Sequence, residues 1–177
     1  MKNLIALFVI FAASVAVFGQ TKDVMTIKIY LSDGNDNPNF ENCGKVRHVM
    51  RTIPKTKAVA KAALDELVKG ATEAEKAQNL SSIFSVETKS IIKNVNIKKD
   101  AAYVNLDDWV IENLGTATTS CGAFTFITPI EKTLMQFSTV KRVFFAIEGK
   151  PKDFYEWMQV GECPKELKNC DGRNFKK

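Results

Sequence analysis

The stretch RTIPKTKAVAKAALDELVKG, residues 51–70, contains the most clearly patterned helix of the chain. Thr56 is a suitable N-cap for a helix that runs to about Lys69. Gly70 is a typical stop, because glycine adopts the left-handed conformation without strain. Apolar residues recur on one face at helical spacing: Val59, Ala60, Ala63, Leu64, Leu67 and Val68. The sequence therefore predicts an amphipathic helix that packs on a core through this stripe.

Strands are predicted on both sides of this helix. Ile27, Ile29 and Leu31 alternate with polar residues, which is typical of a half-buried strand at 26–31. The other extended segments are 46–53, 89–98, 101–106 and 141–148. The polar turn Lys98-Lys99-Asp100 predicts a hairpin between the third and fourth strands.

A second helix is predicted within residues 121–137. Its proposed apolar stripe is Phe124, Ile127, Ile130, Leu134 and Phe137. Pro129 either kinks this helix or stands at its first position, with Thr128 as the N-cap. The order β-β-α-β-β-α-β predicts the α+β class, with two helices packed on a small mixed β-sheet and a C-terminal extension.

Residues 1–19 have the layout of a secretory signal peptide. Lys2 precedes an apolar run from Leu4 to Phe18, and Gly19 is small enough to precede a signal-peptidase cut. The run is short for a membrane span, so we expect cleavage before Gln20, with an uncleaved anchor as the alternative. The predicted location is therefore periplasmic, cell-surface or secreted.

The composition is that of a globular protein, because 45% of the residues are apolar and 25% are charged. There are 25 Lys and Arg against 20 Asp and Glu, a net charge of +5, without a nucleic-acid recognition motif. Nucleic acid is therefore not expected as a partner. A single histidine excludes a metal site or mechanism that needs two histidines from one chain. We expect no cofactor.

The four cysteines lie in the predicted exported part, where an even number indicates disulfides. Cys163 and Cys170 flank a short segment and close a local bridge easily, which leaves Cys43 to pair with Cys121. Four free buried thiols are the alternative. A metal site is disfavoured because the spacings are not CxxC pairs and no histidine accompanies them.

Several motifs occur in a fixed order along the chain. Pro54 precedes the first helix, which contains Ala-Leu-x-x-Leu and ends at Gly70; Thr-x-x-Glu-Lys and Leu-x-Ser-x-Ile follow at 72–83. Val104-Asn105-Leu106 lies in the hairpin, and Thr-Leu-x-Gln-Phe-x-x-Val-x-x-Val spans residues 133–143. This series resembles the GerMN (germane) domain family of sporulation and spore-germination proteins, over residues 27–151. Three residues depart from the family pattern. Ala71 stands where the family has proline, Asn105 stands where it has an acid, and Pro129 interrupts the second helix.

The resemblance implies an extracytoplasmic module that binds a partner, with no established catalytic group. It also favours the Cys43–Cys121 pair, because some members carry cysteines ahead of the second strand and at the second helix. The predicted organisation is a signal peptide at 1–19, a GerMN-like domain at 20–151, and an extension at 152–177 with a short disulfide loop. The aromatic residues 154–160 form either a cover for the sheet, which we favour, or a partner surface.

A basic stripe is the candidate binding site. It consists of Lys45, Arg47, Arg51, Lys55 and Lys57. In an extended segment the odd positions share one face, so the stripe would meet an anionic glycan, a lipid head group or an acidic protein. The alternative is a solvated edge strand whose charges prevent aggregation.

Catalytic and metal sites are not predicted. His48 lacks a nucleophile motif such as GxSxG. Asp107 and Asp108 should point to opposite faces of a strand. The loop from Asp33 fails as an EF-hand, because Pro38 and Gly44 stand where glycine and glutamate are required. The favoured function is a non-enzymatic binding or assembly module of the envelope, with an envelope protein or cell-wall polymer as partner. A secreted hydrolase using His48, or a disulfide-stabilised inhibitor or structural protein, is the alternative.

Overall fold

The computed structural model describes residues 23–36 and 41–176. The predicted signal peptide lies outside the described residues. No helix among those that the structure describes is long and apolar enough to cross a membrane.

The described chain contains six strands, five α-helices and several short 3-10 turns. The strands are β1 Val24–Asp33, β2 Val46–Pro54, β3 Leu80–Ser81, β4 Ile92–Lys98, β5 Ala101–Leu106 and β6 Arg142–Ile147. The helices are α1 Val59–Leu67, α2 Glu73–Lys76, α3 Trp109–Asn113, α4 Ser120–Met135 and α5 Pro151–Met158. The 3-10 turns include Val86–Thr88, Lys165–Leu167 and Arg173–Phe175.

The strands form two three-stranded sheets instead of the single sheet that was predicted. The first has the order β2-β1-β3 and is antiparallel. The second has the order β4-β5-β6, where β4 and β5 form the predicted hairpin and β6 runs parallel to β5. The crossover between β5 and β6 carries α3 and α4. The predicted α+β class is confirmed.

Side chains of α4 explain why the two sheets stay separate. The Gln136 amide accepts a hydrogen bond from the Lys28 N–H at 3.0 Å and donates one to the Lys28 carbonyl at 2.7 Å. The Thr133 hydroxyl accepts from the Tyr30 N–H at 3.1 Å. These bonds occupy the edge of β1 opposite β2, so no strand of the second sheet can pair there. Thr133 and Gln136 belong to the motif at 133–143, which is therefore structural.

The buried face of α1 follows its sequence pattern, but the predicted N-cap is wrong, because the helix begins at Val59 after Ala58 and Thr56 does not cap it. Ala63, Leu64, Leu67 and Val68 are fully buried. Gly70 has a φ of +82°, and a Cβ built there would lie 2.2 Å from the Phe84 carbonyl oxygen. The chain therefore needs glycine at this position both for its conformation and for its close approach to the backbone.

The predicted apolar stripe of α4 is partly wrong. The helix runs continuously through Pro129, and its buried face includes Phe126, Ile130, Thr133 and Leu134. Phe124, which was assigned to the core, is 58% exposed. Two adjacent faces of this helix carry apolar residues at similar spacing. Phe126 is selected for the core because its ring packs against Phe84 and residues of the extension.

The C-terminal extension covers the second sheet, as predicted, but as a helix and not as a strand. Phe154 of α5 stacks on Phe145 of β6 with ring centroids 4.7 Å apart. Phe175 is fully buried and meets Tyr103 of β5 edge-on at 5.4 Å. The apolar β6 is therefore buried on both faces, which explains why its sequence lacks alternation.

A buried asparagine pair ties the extension to the hairpin. Asn105 accepts from the Gly149 N–H at 2.6 Å and donates its amide to Asn94 at 3.2 Å. Asn94 in turn donates to the Phe175 carbonyl at 2.8 Å. An ionised acid at position 105 has no proton to donate to Asn94. Asparagine at position 105, where the family pattern has an acid, therefore suits the hydrogen bonds that lead to this chain's own C-terminal segment.

Candidate functional site

The four cysteines form the two predicted pairs. Cys43 is bonded to Cys121 across a sequence separation of 78 residues, and Cys163 to Cys170 across 7. The alternative of free thiols is wrong, because none of the four is free. Cysteine chemistry is therefore not available for catalysis or metal binding in this oxidised form.

His48 lies on the exposed face of β2. Its ring is 5.8 Å from the Tyr30 ring, centroid to centroid. Within residues 23–36 and 41–176, no hydrogen bond or ion pair joins this histidine to an acid. A general base needs an orienting partner and a nucleophile within reach, and His48 has no such arrangement here.

The basic stripe is placed along β2 and the loop that follows it, and acids engage most of its cations. Lys45 lies 3.1 Å from Asp36. Arg47 lies 3.3 Å from Asp33, and Lys55 lies 3.7 Å from Asp23. Lys57 is exposed. The positive field that a polymer would meet is reduced by these acids, so the stripe offers less free charge than its sequence indicates.

Arg51, the central residue of the stripe, is mainly structural. Its guanidinium contacts Glu75 through two hydrogen bonds of 2.6 and 3.1 Å and donates to the Gly70 carbonyl at 3.1 Å. Thr72 and Glu75 form the capping box of α2, so Arg51 links β2 to the start of that helix. Burial opposes ionisation of Glu75, but the hydrogen bonds from Arg51 and Thr72 outweigh it, and the pKa of Glu75 is lowered.

Replacing Glu75 by glutamine should lower the free energy of unfolding by about 2 kcal/mol at pH 7, because Arg51 loses a charged partner. The loss should shrink at low pH. A lowered pKa adds stability that is complete above the ordinary value of 4.5 and disappears as the pH falls through the folded-state value. Urea titrations at pH 7 and pH 3 measure both effects. Glu73→Gln is the matched control, since the Glu73 side chain is 90% exposed; an equal loss in both variants would contradict the prediction.

Asp107, Asp108 and Glu148 form an acidic cluster at the end of β5. Their oxygen atoms lie within 4.8 Å of one another. The prediction that Asp107 and Asp108 diverge is wrong, because β5 ends at Leu106 and strand alternation stops there. Lys93 lies 2.7 Å from Glu148 and 3.5 Å from Asp107, so this ammonium offsets one of the three negative charges of the cluster. The hydrogen bond to Glu148 raises the pKa of Lys93. We assign no metal to this group.

A cavity of about 590 Å³ lies between α5 and the loop closed by Cys163 and Cys170. On its charged rim, Lys152 pairs with Glu156 at 3.4 Å. Burial raises the pKa of Tyr155 to about 12, so this hydroxyl stays protonated at neutral pH and is not a base.

The α4–α5 groove is a second concavity, between α4 and the residues that end α5. Its volume is about 400 Å³. Its lining includes Ala123, Phe124, Ile127, Glu131, Met158 and Val160. Phe124 is 58% exposed and Val160 is 45% exposed. Hydroxyl and amide side chains complete the lining: Thr118, Thr119, Ser120, Thr128 and Gln159. A concavity that exposes large apolar side chains beside polar groups has the mixed lining of a docking site.

The sequence pattern alone does not indicate this groove. Phe124 and Ile127 were assigned to the core stripe, and Val160 to the aromatic extension. One signal was present: Phe124, Ile127 and Glu131 are spaced i, i+3 and i+7, which places an acid on an apolar helical face. The opposite wall of the groove, at residues 158–160, depends on where the C-terminal extension packs.

The fold defines a small, disulfide-linked α+β domain. The family model Germane, described as sporulation and spore germination, matches residues 28–153. The chain therefore belongs to the Germane (GerMN) family, as its motifs predicted. The family is linked to sporulation and spore germination. No curated protein matches the chain.

A solved GerMN domain shares this fold. The first GerMN domain of the sporulation protein GerM from Bacillus subtilis is 22% identical, with a TM-score of 0.51 over 79% of this chain and 92% of that domain. The tandem GerMN domains of GerM are 19% identical, with a TM-score of 0.49 over 76% of this chain and 43% of theirs. A putative lipoprotein from Clostridium perfringens is 12% identical, with a TM-score of 0.39 over 75% and 80%.

Proposed function

We propose that the chain is an exported, non-enzymatic binding module of the cell envelope that holds a protein partner in the α4–α5 groove. The observation that carries this proposal is the exposure of Phe124 and Val160 on the walls of one groove. Aromatic and aliphatic side chains concentrate at the centres of protein interfaces. Single exposed apolar residues are common on any surface, but these two line a shared concavity.

Export is supported by the covalent structure. Two disulfides form, and disulfides persist in oxidising compartments outside the cytoplasm. The predicted signal peptide at residues 1–19 agrees with this location. The proposed site of action is therefore the periplasm, the cell surface or the medium.

A protein partner fits the charges of the surface better than an anionic polymer does. The acids beside Lys45, Arg47, Arg51 and Lys55 reduce the free charge that a polymer would meet. Ion pairs at an exposed surface contribute little binding energy, whereas burial of apolar area is the main favourable term in protein association. We therefore propose the groove, and not the basic stripe, as the surface that contacts the partner.

The test is retention of residues 20–177, which include every described residue, by immobilised envelope proteins and, separately, by purified cell-wall polymer. We expect retention by the envelope proteins, at least tenfold weaker retention of Phe124→Ser, and loss of retention after protease treatment of the envelope sample. A matched pair of valines provides the control. The side chains of Val160 and Val86 are both exposed, but of the two only Val160 lines the groove. Val160→Ser should weaken retention, and Val86→Ser should not.

Two outcomes would overturn the proposal. Retention by the polymer that Phe124→Ser leaves unchanged would move the contact surface to the basic stripe. Hydrolysis of an envelope component that His48→Ala abolishes, without change in unfolding free energy, would make the protein an enzyme.

A further inference from the structure

Glu131 is the charged residue that lines the α4–α5 groove, and no hydrogen bond or ion pair reaches its carboxylate within the described residues. Glu131 lies on α4 one turn after Ile127 and two turns after Phe124, so the three share a face of the helix. Its side chain is half-buried in the groove. Burial raises the pKa of Glu131, and the nearby charge of Lys132 only partly opposes that effect.

The buried Glu75 and the half-buried Glu66 show how this chain treats such a group elsewhere. Glu75 accepts hydrogen bonds from Arg51 and Thr72, and Glu66 pairs with Lys69 and lies 3.8 Å from Arg51. Within the described parts of the chain, no hydrogen bond or ion pair reaches the Glu131 carboxylate. A carboxylate that is partly removed from water and left unpaired is costly. A cation supplied from outside the chain would remove that cost.

The lining of the groove limits what this cation can be. One carboxylate does not make a metal site, since hard cations take several oxygen ligands. The acid shares the groove with large apolar residues, among them Phe124, Ile127 and Val160. A lysine or arginine fits both features, because its methylene stem packs on apolar surface while its charged end forms a hydrogen bond to the carboxylate.

We infer that the α4–α5 groove recognises a lysine or arginine side chain flanked by apolar residues in its protein partner, with Glu131 as the counter-charge. The inference rests on the proposed function, because it assumes that the groove holds a protein segment. The partner is therefore expected to present a basic residue within an apolar stretch, and not an acidic segment that the basic stripe would select.

The test compares two blocked peptides by NMR titration of residues 20–177. One is Ser-Gly-Val-Leu-Lys-Val-Leu-Gly-Ser, and the other has norleucine in place of lysine, which removes the charge and keeps the stem. We expect saturable shifts at the amides of Phe124, Ile127 and Glu131, with a Kd about tenfold lower for the lysine peptide. Glu131→Gln should abolish the difference between the peptides.

Glu112→Gln is the control, since Glu112 is an exposed glutamate of α3 outside the groove. It should leave the tenfold difference intact. A urea titration checks that Glu131→Gln remains folded. Equal Kd values for the two peptides, or no shift in the groove with the lysine peptide, would overturn the inference. A different result would contradict the proposed function itself, namely that Phe124→Ser leaves retention by envelope proteins unchanged.

Discussion

Replacing Phe154 by alanine should lower the free energy of unfolding by about 4 kcal/mol, because a fully buried aromatic side chain leaves a cavity. Its ring stacks on Phe145 and also meets Phe126, Tyr155 and Trp157. The substitution thus removes the ring contact between α5 and β6, one of the contacts that join the extension to the second sheet. Urea unfolding of residues 20–177, followed by circular dichroism, measures the loss.

A second substitution separates a local effect from loss of the whole extension. Phe175→Ala, at the far end of the same segment, should cost about 3 kcal/mol, because this ring is also fully buried. Lys152→Ala is the control, because the Lys152 side chain is 68% exposed and takes part only in a surface ion pair. Losses below about 1 kcal/mol for both phenylalanines would mean that residues 152–177 are dispensable for the fold.

Replacing Cys43 and Cys121 together by serine should cost about 4 kcal/mol. The bond closes a loop of 78 residues, and a long closed loop restricts the unfolded chain strongly. Denaturant titration of the double variant, against the oxidised wild type, measures the difference.

The second disulfide is the internal control for this reasoning. The pair Cys163–Cys170 closes only 7 residues, so replacing both cysteines by serine should cost about 2 kcal/mol. Equal losses for the two double variants would show that restriction of the unfolded chain does not set the contribution of these bonds. A loss at Cys43 and Cys121 smaller than that at Cys163 and Cys170 would contradict the prediction outright.

Local features of the fold were predictable because neighbouring residues determine them. The alternation at Ile27, Ile29 and Leu31, the capping box at Thr72 and Glu75, and the turn at Lys99 all involve contacts within a few residues. The ion pair between Lys61 and Asp65, one helical turn apart, is of the same kind. For such elements the sequence pattern and the structure agree, because contacts with distant segments hardly alter a conformation that neighbouring residues determine.

The remaining features depend on packing between distant segments. The buried face of α4 was misassigned because Phe124 and Phe126 are both apolar, and only Phe84, Phe154 and Trp157 decide between them. The division into two sheets depends on Gln136 reaching Lys28, which no local pattern indicates.

The candidate site was unpredictable for the same reason. The basic stripe was visible as a row of charges, but its neutralising acids, including Asp33 and Glu75, are brought to it by folding. The groove has one wall from α4 and the other from the end of α5, so Glu131 gains its setting only when the extension is in place. Sequence periodicity places an acid on a helical face, but it does not indicate whether a partner faces that acid.

The hydrogen bonds that close the edge of β1 also bear on how fast the chain can fold. Gln136 and Lys28 are separated by 108 residues, and Thr133 and Tyr30 by 103. This edge of β1 can therefore be completed only after residue 136 has been synthesised. Contacts across such separations raise the contact order of the fold, which slows formation of the native pairing. The Cys43–Cys121 bond, across a separation of 78 residues, then holds the same two halves of the chain together covalently.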